Sequence, residues 1–316
     1  MSLPIVDISS LRQNAGSVSV EVASAIRQAY MEYGFFYITG HGIPNAIISA
    51  AADTAMRFFR LPLETKRKVS ANVNHRGWHA LGDAQMYGAE KPDYKEFYQV
   101  GLELTENDPD VRAGQPLRGP NNWPDFMPEL RRDMYAYFEA VGNCAGYLLR
   151  GVAGSLGIDP DFFVNKYEKP LQRTQAVYYP PQPDSLGSDQ FGVAPHTDFG
   201  NITLLWQDDN GGLEIENLAR DWVAAPPLSG TMLVNSGDLL GRWSNDRYRS
   251  TRHRVVNRSG RERLSIATFY DPTFTALVDP EDLNLADGDV SKYLPVSAGE
   301  HILGRIDSSF GYRSKL

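Results

Sequence analysis

His196-Thr197-Asp198 and, far downstream, His253 are the residues of this chain best suited to chemistry. Two imidazoles and one carboxylate are the protein donors of a non-haem Fe(II) site that keeps coordination positions open. Side chains alternate faces along an extended segment, so His196 and Asp198 are expected to point the same way and hold one ion together. A lone H-x-D triplet arises by chance in many chains. What lifts this one is His253, separated from it by several strands that a rolled double sheet can bring back alongside. Arg263-Leu264-Ser265 follows closely. With Arg258-Ser259-Gly260 as a three-residue hairpin loop and Gly260 left-handed, Val255 falls opposite Arg263 and His253 opposite Ser265. His253, Arg263 and Ser265 then share a face, and a guanidinium one strand away, about 4.8 Å, can reach the far end of a small diacid that chelates the metal at its near end. The plain alternative for Arg263 is a surface ion pair with Glu262 or Asp271.

These residues need a β-rich frame, and the second half of the chain reads as one. Short strands punctuated by turns are expected at 173–179, 203–206, 213–216, 222–224, 231–234, 252–257 and 263–270, the spacing of an antiparallel sandwich or barrel. The first part alternates strands with helices. Pro4 to Ile8 reads as extended; Val18, Val22, Ile26, Tyr30 and Tyr33 recur at helical spacing up to Gly34; Phe35 to Thr39 suits a buried strand; a helix follows Pro44 toward Phe59. Residues 70–92 show no period and read as a long loop, and 107–128 as a proline-rich connection. From Glu129, the stripe Leu130, Met134, Tyr137, Val141, Ala145, Leu148 and Val152 predicts a long helix ending near Gly157. A boundary falls within 157–172. Ala298 to Phe310 reads as a last helix, with Ile302 and Ile306 on one face.

A net charge of -8 with no Lys/Arg-rich run argues against a general nucleic-acid binder and for small or neutral partners. Cys144 is the single cysteine, expected buried, which excludes an intramolecular disulfide and suits a reducing compartment. Met1 to Asp7 carries no basic-then-apolar leader, and no run of about 18 apolar residues occurs. A soluble, cytoplasmic protein without a membrane partner is expected. Oligomeric state is not legible.

Several residues carry weaker signals. His75 and His79 have the i, i+4 spacing of a helical zinc pair, but Gly77 between them and the missing third ligand favour a loop. His41 is expected to order the turn before Pro44. Arg76, Trp78, His79 and Tyr87 sit in the loop that borders the site. Arg173 or Arg76 is expected to contact an acidic or polar substrate, the alternative being a structural ion pair. Trp206, Phe199 and Phe269 suit core positions or substrate walls equally, with Phe269 the one carried forward as a substrate contact.

Taken together the motifs resemble the isopenicillin N synthase-like family of Fe(II)/2-oxoglutarate-dependent dioxygenases over nearly the whole chain. Pro4-Ile5-Val6-Asp7, Gly34-Phe35-Phe36, His41-Gly42-Ile43 and Asp93-Tyr94-Lys95-Glu96 match its N-terminal pattern. Tyr178-Tyr179-Pro180, His196-Thr197-Asp198, Trp243-Ser244-Asn245-Asp246 with His253-Arg254-Val255, and Arg263-Leu264-Ser265 match its core. The resemblance implies a mainly β fold, a double-stranded β-helix (jelly roll) with flanking helices. It implies an N-terminal region over 1–120, a connecting helical segment over 121–168, the catalytic jelly roll over 169–275 and a C-terminal helical segment over 276–316. It further implies iron on His196, Asp198 and His253, the distal carboxylate of 2-oxoglutarate on Arg263, Ser265 and Tyr179, and oxidation of a small metabolite by O2 with release of succinate and carbon dioxide. Iron with one aspartate carries +1, 2-oxoglutarate -2 and Arg263 +1, so the loaded site sums to zero and is cheap to bury. Related halogenases lack the carboxylate that Asp198 supplies, so hydroxylation, desaturation or ring closure is implied instead. Arg-x-Ser alone leaves open an iron oxidase that uses no 2-oxoglutarate, an ethylene-forming variant, and a non-catalytic jelly-roll binding protein.

Overall fold

The computed structural model describes residues 2–13, 17–86, 88–182, 187, 189–283 and 289–310; Tyr87 lies outside them. Strands are β1 (Ile5–Asp7), β2 (Phe35–Thr39), β3 (Gly77–His79), β4 (Glu96–Gly101), β5 (Arg173–Tyr179), β6 (Val193–His196), β7 (Ile202–Gln207), β8 (Leu213–Glu216), β9 (Trp222–Ala224), β10 (Met232–Ser236), β11 (His253–Val255), β12 (Arg263–Tyr270), β13 (Leu277–Val278) and β14 (Val296–Ser297). Helices are α1 (Ser9–Gln13), α2 (Val20–Glu32), α3 (Asn45–Phe59), α4 (Leu63–Arg67), α5 (Pro109–Arg112), α6 (Pro128–Leu156), α7 (Asp238–Trp243) and α8 (Ala298–Ser309). A major sheet runs β1-β2-β10-β7-β12-β5-β4-β3 and faces a minor sheet β6-β11-β8-β9; β13 and β14 form a separate ribbon. The two layers are the jelly roll, and the major sheet takes strands from the first hundred residues as well as from the later ones.

Strand parity decides what faces inward. On β12, Arg263, Ser265, Ala267 and Phe269 line the cavity between the sheets, and on β5 Arg173, Gln175, Val177 and Tyr179 do the same. The alternate residues Leu264 and Ile266 are buried on the opposite face, where α6 packs against the back of β12 and against α1, α2 and α3. Every residue of the expected α6 stripe is buried. The helix ends on Gly157 at φ 74°, a left-handed stop that glycine adopts without a Cβ clash.

Four expectations need correcting. Val255 does not pair with Arg263, nor His253 with Ser265: β11 pairs with β6 and β8, β12 with β5 and β7. Gly260 is left-handed as expected, at φ 69°, but residues 256–262 carry the chain from one sheet to the other, so the His253 and Arg263 side chains meet across the cavity. Second, β6 ends at His196, and Asp198 lies past the strand in a loop whose backbone is held by α7, with Asp238 N–H donating to the Asp198 carbonyl at 2.8 Å. Third, the stretch read as loop contains β3, and β4 follows it unannounced; Trp78 opposes Tyr98. Buried Glu96 breaks the apolar pattern of β4, and it is compensated by Lys66 Nζ at 2.7 Å and Trp78 Nε1 at 2.6 Å. Fourth, the proline-rich connection holds the one-turn helix α5, capped by Asp108. Among the described residues no helix is long and apolar enough to cross a membrane.

Candidate active site

His196, Asp198 and His253 form the one cluster among the described residues in which three or more metal-binding side chains bring their ligand atoms together, within 4.8 Å of one another. His253 lies opposite His196 in the minor sheet. Their Nε2 atoms stand 3.6 Å (His253) and 3.7 Å (His196) from Asp198 Oδ1. Each ring is turned by its other nitrogen: His196 Nδ1 is 2.8 Å from the Ala194 carbonyl and His253 Nδ1 3.1 Å from that of Thr251. A carbonyl can only accept, so both Nδ1 atoms carry the proton and both Nε2 lone pairs face Asp198. Asp198 Oδ2 is taken by Thr203 Oγ1 at 2.6 Å and Asn235 Nδ2 at 2.7 Å, which leaves Oδ1 to the shared centre. Burial, reinforced by His253, pushes His196 down to about 3, so its ring is neutral. Burial works to raise the Asp198 carboxyl, but His253, His196 and the bonds from Asn235 and Thr203 outweigh it and hold the group below the usual carboxylate range. Two imidazoles and one carboxylate with its spare oxygen aimed inward fit a divalent iron.

Arg263 is fully buried. Nε donates to the Gly211 carbonyl at 2.6 Å, Nη1 to Ser265 Oγ at 3.2 Å and Nη2 to Gln207 Oε1 at 3.1 Å, and the guanidinium lies 4.6 Å from the centre of the Tyr179 ring. It makes no ion pair with Glu262 or Asp271: Glu262 pairs with Arg60 and Asp271 with Arg173. Among the described residues its hydrogen bonds go only to neutral groups, with the Asp208 carboxylate near enough to feel its charge, so its guanidinium is free to receive an acid. Arg263 pairs with Tyr179, and Phe269, six residues along β12, pairs with both Arg173 and Thr203. The anion anchor therefore lies roughly 20 Å of strand from the Arg173 end, and the cavity of about 110 Å³ between them takes a small molecule.

Arg173 lines that cavity, stacked 5.1 Å from the centre of the Phe269 ring, and Nη2 donates to Asp271 at 2.6 Å. Phe199 and Phe269 also line it, whereas half-buried Trp206 does not. Arg76 is placed elsewhere: its guanidinium donates to the Leu117 carbonyl at 3.0 Å, packs against Gly101 and is pushed down to about 9 by burial and by Arg173 and Arg118. It is not among the residues that line the cavity, since it immediately precedes β3 at the sheet's edge. His75 meets His79 and Phe310 edge-to-face, and His79 stacks on Phe97. His41 Nδ1 accepts the Ile43 N–H at 3.1 Å, which orders the turn before Pro44. Thr203, Asn235, Gln207 and Lys95 are site residues that sequence reasoning missed. Asn235 carried a signal, a polar residue ending the apolar run Met232-Leu233-Val234, and Lys95 stood in the Asp93-Tyr94-Lys95-Glu96 marker without a role; the others gave none.

Residues 3–126 match a family model described as the N-terminal region of a non-haem dioxygenase in morphine synthesis, and residues 161–272 match that of the 2OG-Fe(II) oxygenase superfamily. The chain is 34% identical to the 2-oxoglutarate-Fe(II) type oxidoreductase hxnY of Emericella nidulans, over 98% of this chain and 90% of that one. It is 33% identical to the homoarginine-6-hydroxylase 2-ODD-C23 of Glycine max, over 98% and 97%. Among solved structures, a full-length Neurospora crassa protein in complex with alpha-KG superposes with a TM-score of 0.83 at 28% identity, covering 96% of this chain and 95% of that one.

Proposed function

Since the chain belongs to the 2OG-Fe(II) oxygenase superfamily and is an Fe(II)- and 2-oxoglutarate-dependent dioxygenase of small molecules, we propose that His196, Asp198 and His253 hold its iron. In the same reading Arg263, Ser265 and Tyr179 receive the distal carboxylate of 2-oxoglutarate, and Arg173 with Phe269 receives an acidic or polar group of the substrate. The observation that carries it is the convergence of two Nε2 lone pairs on Asp198 Oδ1 at 3.6 and 3.7 Å, with the remaining polar atoms of all three side chains already bonded.

Bound there, iron and 2-oxoglutarate supply an oxidant made from O2, with succinate and carbon dioxide as by-products. The chain's own part is positioning. The Ala194 and Thr251 carbonyls fix the two rings, and Thr203 and Asn235 stop Asp198 from rotating. Arg263 neutralises the incoming acid in a pocket closed to water, with Tyr179 beneath its guanidinium and Ser265 and Gln207 fixing its plane. Arg173 has Nε buried without a partner among the described residues, which leaves a donor for substrate. Anaerobic Fe(II) titration, followed by oxygen uptake and succinate formation with and without 2-oxoglutarate, tests the assignment. The expected result is one iron per chain, abolished by His196→Ala, and succinate only when 2-oxoglutarate is present. Tight iron binding by His196→Ala would overturn it.

A further inference from the structure

The cavity holds a second buried cation that the reaction above does not use. Lys95, just before β4, lines the wall, and its side chain is 7% exposed. Nζ lies 3.0 Å from Asp93 Oδ2, and Asp93 Oδ1 accepts the Ala194 N–H at 2.9 Å. An ammonium has three donors; the carboxylate takes at most one, and the others have no partner among the described residues. Lys95 precedes Glu96, which pairs with Tyr178, whereas Arg173 stands at the far end of β5. Lys95 therefore lies beside the Tyr179 end of β5, and Arg173 at its other end. Both rest on rings, Lys95 at 5.8 Å from the centre of Phe97 and Arg173 at 5.1 Å from that of Phe269.

Charge decides what they accept. Lys95 is balanced by Asp93 and Arg173 by Asp271, and both aspartates stand behind the cavity wall with side chains fully buried. The iron, Asp198, 2-oxoglutarate and Arg263 sum to zero as well. A substrate bearing a net negative charge would leave that charge buried and uncompensated, whereas a neutral acceptor takes the spare N–H groups at no such cost. We propose that the substrate is an uncharged small molecule carrying a carbonyl-type acceptor, with Lys95 as the specificity-determining donor to it. This rests on the reading of Arg173 and of the loaded site given above, and narrows its acidic or polar group to a neutral polar one.

The test is calorimetric titration of the Fe(II)- and 2-oxoglutarate-loaded enzyme, kept free of oxygen, with benzamide and with benzoate, probes alike in shape and different in charge. Benzamide should bind at least about tenfold more tightly, and Lys95→Met should remove about tenfold of that affinity while 2-oxoglutarate binding stays as it was. Asp93→Asn keeps an oxygen for the Ala194 N–H but leaves the lysine charge unbalanced, so it should swing the preference toward benzoate; a purely structural pair would not. Benzoate binding the unaltered enzyme as well as benzamide, no binding of either at low millimolar concentration, or an unchanged ratio in Asp93→Asn would overturn the proposal.

Discussion

At the scale of single residues, the site is built by removing choices. Each ligand side chain has two polar atoms, and the protein occupies one of them, so the other has a single direction left. Thr203→Val and Asn235→Ala each remove one of the two bonds to Asp198 Oδ2, and each should lower Fe(II) affinity by about 10- to 100-fold, the usual cost of losing a partner behind a metal ligand. Anaerobic iron titration measures it, and an affinity unchanged in both variants would mean that Asp198 is fixed by its loop alone. Arg263 acts differently, because its worth lies in being a desolvated cation with no acid hydrogen-bonded to it. Arg263→Ala should raise the 2-oxoglutarate requirement by about 30-fold or more, consistent with roughly 2–5 kcal/mol for a buried charge pair, read from succinate formation against 2-oxoglutarate concentration. Arg263→Lys should recover only part of this, since an ammonium cannot copy the fork that Ser265 and Gln207 hold in plane. The H-x-D triplet and Arg-x-Ser were legible as residue types. Thr203 and Gln207 were not, because an isolated threonine or glutamine carries no spacing that marks it, and Lys95 was marked only as part of the Asp93-Tyr94-Lys95-Glu96 motif, which assigns it no role.

At the scale of elements, periodicity named most strands and helices, and failed where burial is two-sided or charged. β5, β8, β9 and β12 fall where alternation and turn residues put them, and α6 follows its apolar stripe from Leu130 to Val152. β4 escaped because Glu96 and Gln99 are buried in it, and β3 because three residues hold no period. The helix α6 supports the major sheet from behind, so its packing bears on the site only through rigidity. Leu148→Ala there should cost about 2–5 kcal/mol by leaving a cavity in a fully buried layer, visible as a lower urea midpoint, while iron affinity of the folded protein stays the same. The pairing of β11 is the instructive miss. Neighbouring strands in sequence usually pair, and a Gly-containing loop of suitable length looks like a hairpin. In a rolled sheet that loop instead steps between layers, with Asn257 Nδ2 bonding the Arg261 carbonyl at 2.8 Å to shape the step.

At the scale of the whole molecule, the two facing sheets create a buried volume that changes the chemistry of everything inside it. His79 shows this away from the metal ligands: burial, with the Lys95 charge adding to it, pushes its ring down to about 3, far below the ordinary value of 6.5. The folded chain therefore keeps His79 neutral where the unfolded chain takes up a proton. Stability is complete above about pH 6.5 and is lost as pH falls toward 3, at up to about 1.4 kcal/mol per pH unit. His79→Phe, which keeps a ring on Phe97, should shrink the stability difference between about pH 7.5 and pH 5 by about 2 kcal/mol, measured by urea unfolding at both. An unchanged difference would show that the ring is protonated in the folded state. The sequence by itself determined the candidate donor set, the candidate carboxylate anchor and the positions of most strands, because residue type and periodicity are local properties, while the jelly-roll class came from the resemblance that its motifs carry. Only the tertiary structure decided that Arg263 reaches the site from the opposite sheet, that Arg173 faces the cavity while Arg76 does not, and that Lys95 and Arg173 already have carboxylate partners while Arg263 has none. Those facts depend on which layers stack and which side chains lose their water, and neither is written in the spacing of residues along one chain.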